Sequence, residues 1–368
     1  MKTNRRVWLK QIGLGIVGAS IPTLQVNAIT NSILFQEQDN NNLPIILRSN
    51  ENPYGPSPLA LKAISNNIKL TNRYNWDIAP ELIAELAKKN SVEENNILLG
   101  AGSTEILDLV AKYIAAEKSN YVIADPSYDY WTKTMDNLGV HKIKVALTAD
   151  KKIDLSKMFD SINQDTKLIY ICNPNNPTGT ICERDQLVTL IKKTPRNVTI
   201  LVDEAYLEYT KEKTLTELIK SIPNLIIVKT FSKIHGLAGA RIGYAVADSS
   251  LLDTLRNLQS NTNNSVSVLS KLAAIASIKD DKFINDCYVL NENVRKFTIT
   301  ELTNLNIKCI PSGTNFLYFS LLNYPKDYFG NLEKNKIQGT RIYEEDGKWT
   351  RITIGTLDEM RRFVAALK

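Results

Sequence analysis

Three side chains with complementary chemistry follow two apolar runs of the sequence. Asp203 follows the run 198–202, and Lys233 and Arg241 come after the run 225–229. A lysine can bind an aldehyde as a Schiff base, a carboxylate can pair with a protonated pyridine nitrogen, and an arginine can bind a phosphate. These are the groups that a protein supplies to pyridoxal 5′-phosphate, so the sequence predicts a site for this cofactor.

Each residue type suits its task. The amine of Lys233 must lose its proton before it attacks an aldehyde, and burial and nearby cations lower the pKa of a lysine. An acid beside the pyridine nitrogen, from the pair Asp203 and Glu204, keeps that nitrogen protonated, and the ring then withdraws electrons from a neighbouring carbanion. The planar fork of Arg241 can make two charge-assisted bonds to phosphate. Taken alone, the pair Asp203 and Glu204 would more often be solvated or salt-bridged.

Two loops add polar groups to these three residues. Residues 100–104 read Gly-Ala-Gly-Ser-Thr, a sequence that lets backbone approach a ligand and offers the N–H groups of a helix start to an anion. Taken alone, this loop more often ends in an ordinary N-cap at Ser103 or Thr104. The turn 173–179 has two prolines and one glycine, which fix the backbone from which its asparagines project.

The elements that must position these residues alternate between strands and helices. Helical spacing occurs at 103–116 and 128–138. Apolar runs of strand length occur at 96–99, 121–124, 167–172, 198–202, 225–229 and 242–247. This alternation predicts an α/β fold, with a mainly parallel sheet flanked by helices on both faces. Ligands bind at the carboxyl ends of such strands, where the charged residues stand.

The sequence changes in texture at about residue 265. A long helical region at 266–297 precedes three apolar runs and a last helix from Leu357. The apolar runs lie at 315–320, 339–343 and 350–355. This order predicts a second, smaller α+β domain.

The first 28 residues have the features of an export signal. Arg5 and Arg6 precede an apolar stretch, and Val-Asn-Ala at 26–28 offers a small-residue cleavage site. The paired arginines predict the twin-arginine route and a periplasmic protein. An uncleaved signal would leave the protein tethered to the membrane, although the apolar stretch is short and glycine-rich for a span. Residues 29–52 are predicted to form an N-terminal arm or linker.

The composition is that of an ordinary globular protein, with 43% hydrophobic and 23% charged residues, which excludes collagen, coiled coil and wholesale disorder. The formal charge is +6, but four basic residues and no acid lie in the first 28 residues. The other 41 basic and 39 acidic residues give no reason to expect a nucleic-acid partner. Two histidines and four cysteines without a CxxC pair argue against zinc. Whether Cys287 and Cys309 form a disulfide is open.

An ordered set of motifs runs through nearly all of the chain after the signal. It begins with Arg-Ser-Asn-Glu-Asn-Pro-Tyr-Gly-Pro at 48–56 and ends with Arg-Ile-Thr-Ile-Gly-Thr at 351–356. The motifs between them lie at 72–74, 100–105, 125–128, 173–179, 203–206 and 232–243. This set resembles the class I/II pyridoxal-phosphate-dependent aminotransferases of fold type I, and within them the histidinol-phosphate aminotransferase branch. The resemblance implies a large cofactor-binding domain at 53–264 with a seven-stranded sheet, and a small C-terminal domain at 265–368.

The resemblance also implies a role for each motif residue. Lys233 would carry the cofactor and move the proton between the substrate's Cα and C4′ of the cofactor, while Asp203 would hold the pyridine nitrogen. The residues around the ring would be Asn176 and Tyr206 at its hydroxyl and Tyr128 on its face. Those around the phosphate would be Gly102, Ser103, Thr104, Ser232, Arg241 and, from the neighbouring subunit of a homodimer, Tyr74.

The substrate pocket is less fully specified. By resemblance, Arg351 would bind the carboxylate of the substrate, or a phosphate in its place, and Asn52 and Tyr54 would line the pocket. The branch usually has a second arginine where this chain has Tyr343, and Arg341 would face the same way only if the strand register holds. We therefore predict an aminotransferase that uses an amino acid or related amine as donor and a 2-oxo acid as acceptor, without fixing the substrate.

Other interpretations stay open at this stage. A decarboxylase resembling threonine-phosphate decarboxylase would use the same fold, and so would a non-catalytic binding protein. Tyr128 could be a core aromatic, Tyr74 a packed surface ring, and Arg351 a strand-edge ion pair. His235, two residues after Lys233, is better explained as a packed, neutral imidazole than as a catalytic group.

Overall fold

Strands in three sheets organise the part of the chain that the computed structural model describes, residues 43–115 and 119–368. In chain order they are β1 (Ile45–Ile46), β2 (Ile97–Gly100), β3 (Asn120–Asp125), β4 (His141–Ala146), β5 (Thr166–Cys172), β6 (Thr199–Asp203), β7 (Leu225–Thr230), β8 (Gly243–Ala247), β9 (Lys308–Cys309), β10 (Phe316–Ser320), β11 (Ile337–Gln338), β12 (Ile342–Glu344) and β13 (Trp349–Thr353). Seven of them form the central sheet, in the order β2-β8-β7-β6-β5-β3-β4. Neighbours from β7 to β4 are parallel, and β8 is antiparallel to β2 and β7. The predicted α/β class with a mainly parallel, seven-stranded sheet is confirmed.

Helices cover the central sheet and the C-terminal sheet. They are α1 (Pro58–Asn67), α2 (Ile78–Asn90), α3 (Ser103–Ile114), α4 (Thr132–Asn137), α5 (Leu155–Asp160), α6 (Arg184–Lys193), α7 (Ser249–Leu258), α8 (Val268–Ile278), α9 (Asp281–Asn304), α10 (Tyr328–Lys334) and α11 (Leu357–Leu367). Several begin with a side-chain cap that the sequence contains. Thr356 and Glu359 form a reciprocal capping box at α11, for example.

The central sheet is buried on both faces, and apolar side chains occupy most positions of its inner strands. Alternate residues of β2 belong to different cores: Ile97 and Leu99 pack on one side with α1, α2, α6 and α8, whereas Leu98 packs on the other side with α3, α4 and α7. Alternation follows from the two-residue period of a strand. Unbroken apolar runs are the sequence signature of such a two-sided core.

A second sheet, in the order β12-β13-β10-β9, forms the C-terminal part of the fold, and its strands pair antiparallel. α9, α10 and α11 contribute to its core. The segment 45–47 also belongs here, because β1 pairs in parallel with β11 and Leu47 O accepts the N–H of Thr353 at 2.9 Å. Residues within the predicted arm therefore form part of the folded structure.

Several predicted elements differ in extent. The helix expected at 128–138 begins only at Thr132, and the region 266–297 is two helices that separate near Lys279. β4 escaped prediction because this edge strand reads His-Lys-Ile-Lys-Val-Ala and lacks the apolar run of a buried strand. Residues 44–368 form one compact unit. The predicted boundary after residue 264 falls between α7 and α8 and stays a prediction.

The predicted signal at 1–28 and most of the predicted arm lie outside the described residues. Within 43–115 and 119–368, the helices are all too short or too polar to cross a bilayer.

Candidate active site

A cavity of about 480 Å³ opens at the carboxyl ends of β5, β6 and β7. Its volume lies in the ~300–1,000 Å³ range of ligand pockets. Because the strands are parallel and in register, Cys172 and Asp203 stand side by side at this edge. Ten predicted site residues line the cavity together: Ser103, Thr104, Tyr128, Asn176, Asp203, Tyr206, Ser232, Lys233, Arg241 and Arg351.

Lys233 stands in the turn that follows β7, with its amine in the cavity. Its Nζ donates to the carbonyl of Ser49 at 3.1 Å and lies 5.5 Å from the ring centre of Tyr206. Burial of the amine, followed by the guanidinium of Arg351, lowers the pKa of Lys233 to about 8. About half of the amine is therefore neutral near pH 8, and this neutral form can act as a nucleophile or base.

Asp203 and Glu204 are neighbours with different surroundings. The carboxylate of Asp203 lines the cavity and accepts bonds from the N–H of Ala205 at 3.0 Å and the phenol of Tyr170 at 3.1 Å. Burial nevertheless raises the pKa of Asp203 to about 6, so this acid gains from a cation placed beside it. Glu204 instead forms a buried ion pair with Lys229 at 2.8 Å. Although burial opposes the charge, Glu204 holds the pKa of Lys229 above its ordinary value.

The loop before α3 lies against Arg241 at one end of the cavity. Gly102 is the residue before the helix, with φ +78°, and a Cβ there would overlap the guanidinium of Arg241. No side-chain bond caps α3, so the interpretation of Ser103 or Thr104 as an ordinary N-cap is wrong. The first N–H groups of the helix stay available for an anion, as at other helix starts. Arg241 also approaches Ser232, with Nη1 at 3.5 Å from its hydroxyl.

Tyr206 is held by two amides at the other end of the cavity. Its phenol oxygen accepts from Nδ2 of Asn50 at 3.0 Å and from Nδ2 of Asn176 at 3.3 Å. Because both neighbours donate, the phenol can direct its own proton to a ligand oxygen. Asn50 was not predicted; its φ of +55° and its bond to Thr353 Oγ1 fix it in place. An asparagine tolerates this left-handed backbone better than most residues, so its presence in the run 49–52 is a signal from which the backbone turn could be predicted.

Arg351 reaches the cavity from β13 and is buried. Its Nη1 donates to Oδ1 of Asn176, and its Nη2 donates to the carbonyl of Arg48 at 2.7 Å. The buried Nε has no partner among the described residues. Tyr343 lies beside this group, because its ring centre is 5.6 Å from the guanidinium of Arg351 and 5.4 Å from that of Arg341.

Four of the predicted residues do not line the cavity: Gly102, which precedes α3, and Asn52, Tyr54 and Tyr74. Asn52 is buried and uses its amide on Ile234 O at 2.7 Å and on the N–H of Tyr54 at 3.0 Å. Tyr54 packs beside Ile234 and Cys287. Tyr74 is 79% exposed and stacks on Trp76. Residues 48–51 line the cavity in place of Asn52 and Tyr54, and sequence reasoning missed them.

His235 and the cysteines are packing residues in this structure. The imidazole bonds Ser277 Oγ at 2.7 Å, and burial lowers the pKa of His235 to about 3, so it stays neutral as predicted. Cys287 and Cys309 are both free thiols, which answers the question left open about their pairing.

The comparisons with known proteins agree with this geometry. The family described as aminotransferase class I and II matches residues 44–367. The chain belongs to this family. Histidinol-phosphate aminotransferase of Caldicellulosiruptor saccharolyticus is 34% identical over 88% of this chain and 91% of its own. An aromatic amino acid aminotransferase of Cutibacterium acnes is 32% identical over 87% and 91%.

A solved structure shows the same fold. Histidinol-phosphate aminotransferase from Sinorhizobium meliloti, in complex with pyridoxal 5′-phosphate, has a TM-score of 0.81 and 24% identity, and the alignment covers 100% of this chain and 97% of that one. Because it belongs to the class I and II family, this chain is a pyridoxal-phosphate-dependent aminotransferase, as its sequence predicts. It transfers an amino group between an amine donor and a 2-oxo acid, and the decarboxylase and binding-protein alternatives are not favoured.

The residues of the cavity fit the cofactor of this aminotransferase. The start of α3, Ser232 and Arg241 form a cationic cradle of hydrogen-bond donors suited to a phosphate. Asp203 suits the pyridine nitrogen, the phenol of Tyr206 a ring hydroxyl, and Tyr128 offers an aromatic surface. When bound, pyridoxal phosphate supplies the electron-withdrawing ring that stabilises a carbanion.

Proposed function

We propose that the amino donor carries an anionic group that Arg351 binds. One observation carries this proposal: the Arg351 guanidinium is buried in the cavity of Lys233, and its Nε has no partner among the described residues. A buried donor without a partner is costly, and a ligand oxygen would remove that cost. The bond from Arg351 to Asn176 links this position to Tyr206. A donor anchored at Arg351 would therefore have its amino group directed toward the ring end of the cavity.

Lys233 would act as the base in this reaction. Of the residues that line the cavity, it is the one lysine, and its pKa of about 8 leaves a usable neutral fraction at neutral pH. Its Nζ would accept the proton from the α-carbon of the donor and return a proton to the cofactor side. Asp203 would hold the proton on the ring nitrogen throughout, because burial of the acid favours a cationic partner.

A matched pair of donors tests the role of Arg351. Phenylalanine and phenethylamine differ in one carboxylate, so Arg351→Gln should reduce kcat/KM roughly 10- to 100-fold more for phenylalanine than for phenethylamine, since a lost charged hydrogen bond costs about 1.5–3 kcal/mol. Any effect of the lost charge on Lys233 is common to both donors and cancels in this ratio. Histidinol phosphate and glutamate extend the panel. Equal losses for both members of the pair would contradict the proposal. Release of carbon dioxide without a 2-oxo acid product would contradict amino transfer itself.

We also propose a homodimer in which Tyr74 reaches the phosphate site of the neighbouring subunit. Two features support it: Tyr74 does not line the cavity of its own chain, and it is exposed, as are other large apolar side chains of the segment 59–76. These are Leu59, Leu61, Ile68 and Trp76. Contact with a second subunit would remove these apolar side chains from water.

Hybrid dimers test the shared site. Subunits with Lys233→Ala and subunits with Tyr74→Ala should each be weakly active alone. Mixed dimers should regain one intact site, because Lys233 and Tyr74 of that site come from different chains. A monomer by light scattering, or no recovery on mixing, would contradict this arrangement.

The N-terminal sequence supports a further proposal, that the aminotransferase is exported by the twin-arginine route to the periplasm. Residues 1–28 contain the paired arginines, the apolar stretch and the small-residue site that such signals need. Replacement of Arg5 and Arg6 by lysine should leave the full-length chain in the cytoplasmic fraction. N-terminal sequencing of the exported protein should begin at Ile29 if the signal is cleaved after Ala28.

A further inference from the structure

Glu105 lies in the first turn of α3, directly behind residues 100–104, which we call the phosphate-binding loop. Its Oε2 accepts the N–H of Ala101 and the hydroxyl of Ser265, both at 2.5 Å. Its Oε1 accepts from Nε2 of Gln259 at 3.1 Å. One carboxylate thus joins the loop to a segment about 160 residues later in the chain.

That later segment is itself fastened to the central sheet. Gln259 is buried and donates to the carbonyl of Leu99 at 3.0 Å, while its Oε1 accepts the N–H of Asn263 at 2.9 Å. Oδ1 of Asn263 then accepts the N–H of Leu99 at 2.8 Å. Glu105 therefore ties Ala101 to a rigid support at the end of β2.

The phosphate-binding loop needs such a support because a second cavity lies behind it. This cavity, of about 310 Å³, is lined by Ala101, Glu105 and Gln259 and shares Thr104 and Arg241 with the cofactor cavity. The loop at this point is a thin wall between two open spaces. Because a cavity, rather than close-packed side chains, lies behind the loop, hydrogen bonds must hold its conformation.

We propose that Glu105 is a positioning residue that fixes the phosphate-binding loop in its binding conformation. By taking up the N–H of Ala101, it sets the direction in which the chain turns at Gly102, and so aims the N–H groups of Ser103 and Thr104 at the phosphate. The inference rests on the cofactor assignment and is independent of the amino donor.

Paired ligands separate this role from a structural one. Pyridoxal lacks the phosphate of pyridoxal 5′-phosphate but keeps the ring and aldehyde, so both can be titrated into cofactor-free protein by absorbance. Glu105→Gln, which places an N–H donor among three other donors, should weaken pyridoxal phosphate roughly tenfold and pyridoxal less than twofold. The ³¹P resonance of the bound phosphate should shift or broaden. A control, Asp108→Asn, removes a carboxylate from the same helix and should change neither affinity.

A merely structural role predicts a different result. Equal weakening of both ligands, or no weakening of either, would overturn the proposal, whatever the change in Tm. If Glu105→Gln does not fold, Ser265→Ala decides: a selective loss of about threefold for pyridoxal phosphate supports the proposal, and an unselective loss or none overturns it. These titrations need no amino donor. A failure of the Arg351 proposal would leave their outcome unchanged, and the reverse also holds.

Discussion

The reactivity of Lys233 depends on two charges with opposite effects, and changing each in turn tests the electrostatics of the site. Arg351 lowers the pKa of this amine, and Glu51 raises it. We expect Arg351→Gln to slow the capture of pyridoxal phosphate by the cofactor-free protein at pH 7, and Glu51→Gln to speed it. The reason is that the aldehyde reacts with the neutral amine alone.

The size of the effect follows from the pKa. With a pKa of about 8, roughly 9% of the amine is neutral at pH 7, whereas an ordinary lysine would have roughly 0.03%, a difference of about 300-fold. Burial is the larger cause and persists in both variants. Loss of the Arg351 charge should therefore raise the midpoint by about one pH unit and slow capture roughly tenfold. The gain from Glu51→Gln cannot exceed roughly 11-fold, since the amine then becomes fully neutral.

Stopped-flow absorbance over pH 6 to 11 measures this capture. The wild type and both variants share the titration of the cofactor itself, so differences in midpoint belong to the protein. Borohydride reduction and peptide mapping should place the cofactor on Lys233 and leave Lys229, whose ion pair keeps it charged, unmodified. A wild-type midpoint near 10.5, or midpoints that move in the same direction in both variants, would refute the reasoning.

Three further predictions concern cofactor binding and stability. Gly102→Ala should destabilise the fold by about 1–3 kcal/mol and also weaken cofactor binding. The control Gly139→Ala, also at positive φ but with open space around it, should affect only stability. Denaturant unfolding measures the stability of each variant, and cofactor titration measures its affinity. Lys229→Met leaves the carboxylate of Glu204 buried without its ion-pair partner, so the free energy of unfolding should fall by about 3–5 kcal/mol, as measured by urea titration. The double variant that also carries Glu204→Gln should recover part of this loss. In cofactor-free protein, burial raises the pKa of Asp203 to about 6. Between about pH 4 and pH 6 the native state therefore binds more protons than the unfolded state. The free energy of unfolding should fall by up to roughly 3 kcal/mol as pH rises through this window. Urea unfolding at pH 4.5 and pH 6.5 should show this slope in the wild type and not in Asp203→Asn.

The sequence was enough to predict the inner strands of the central sheet and the charged groups at its edge. Asp203 closes a buried, largely apolar run, and Lys233 and Arg241 follow the next such run, so parallel topology brings the three residues to one edge of the sheet. β4 could not be found in the same way, because an edge strand exposes side chains and so lacks an apolar run. Composition and spacing could not separate the roles of the two acids either, and only the family resemblance assigned the ring nitrogen to Asp203. Whether Asp203 or Glu204 faces the cavity depends on the ion pair to Lys229, which is a tertiary contact.

The segment before α1 shows a second limit. The motif pattern predicts Asn52 and Tyr54 in the pocket, whereas Asn50 and Glu51 reach the cavity in the structure. The backbone turn at Asn50, with φ +55°, decides which side chains of this run point inward. Its direction is set by the bond to Thr353, about 300 residues later, and no local pattern reports such a contact.

The pairing of β1 with β11, and of Leu47 with Thr353, has a consequence for biosynthesis. Ser49 and Asn50, which come soon after β1, line the cavity, and Arg351 reaches it from β13, the last strand of the described residues. A nascent chain that has not yet released β13 from the ribosome thus lacks both a wall of the pocket and the contact that shapes the opposite wall. Cofactor loading must therefore wait until translation is nearly complete.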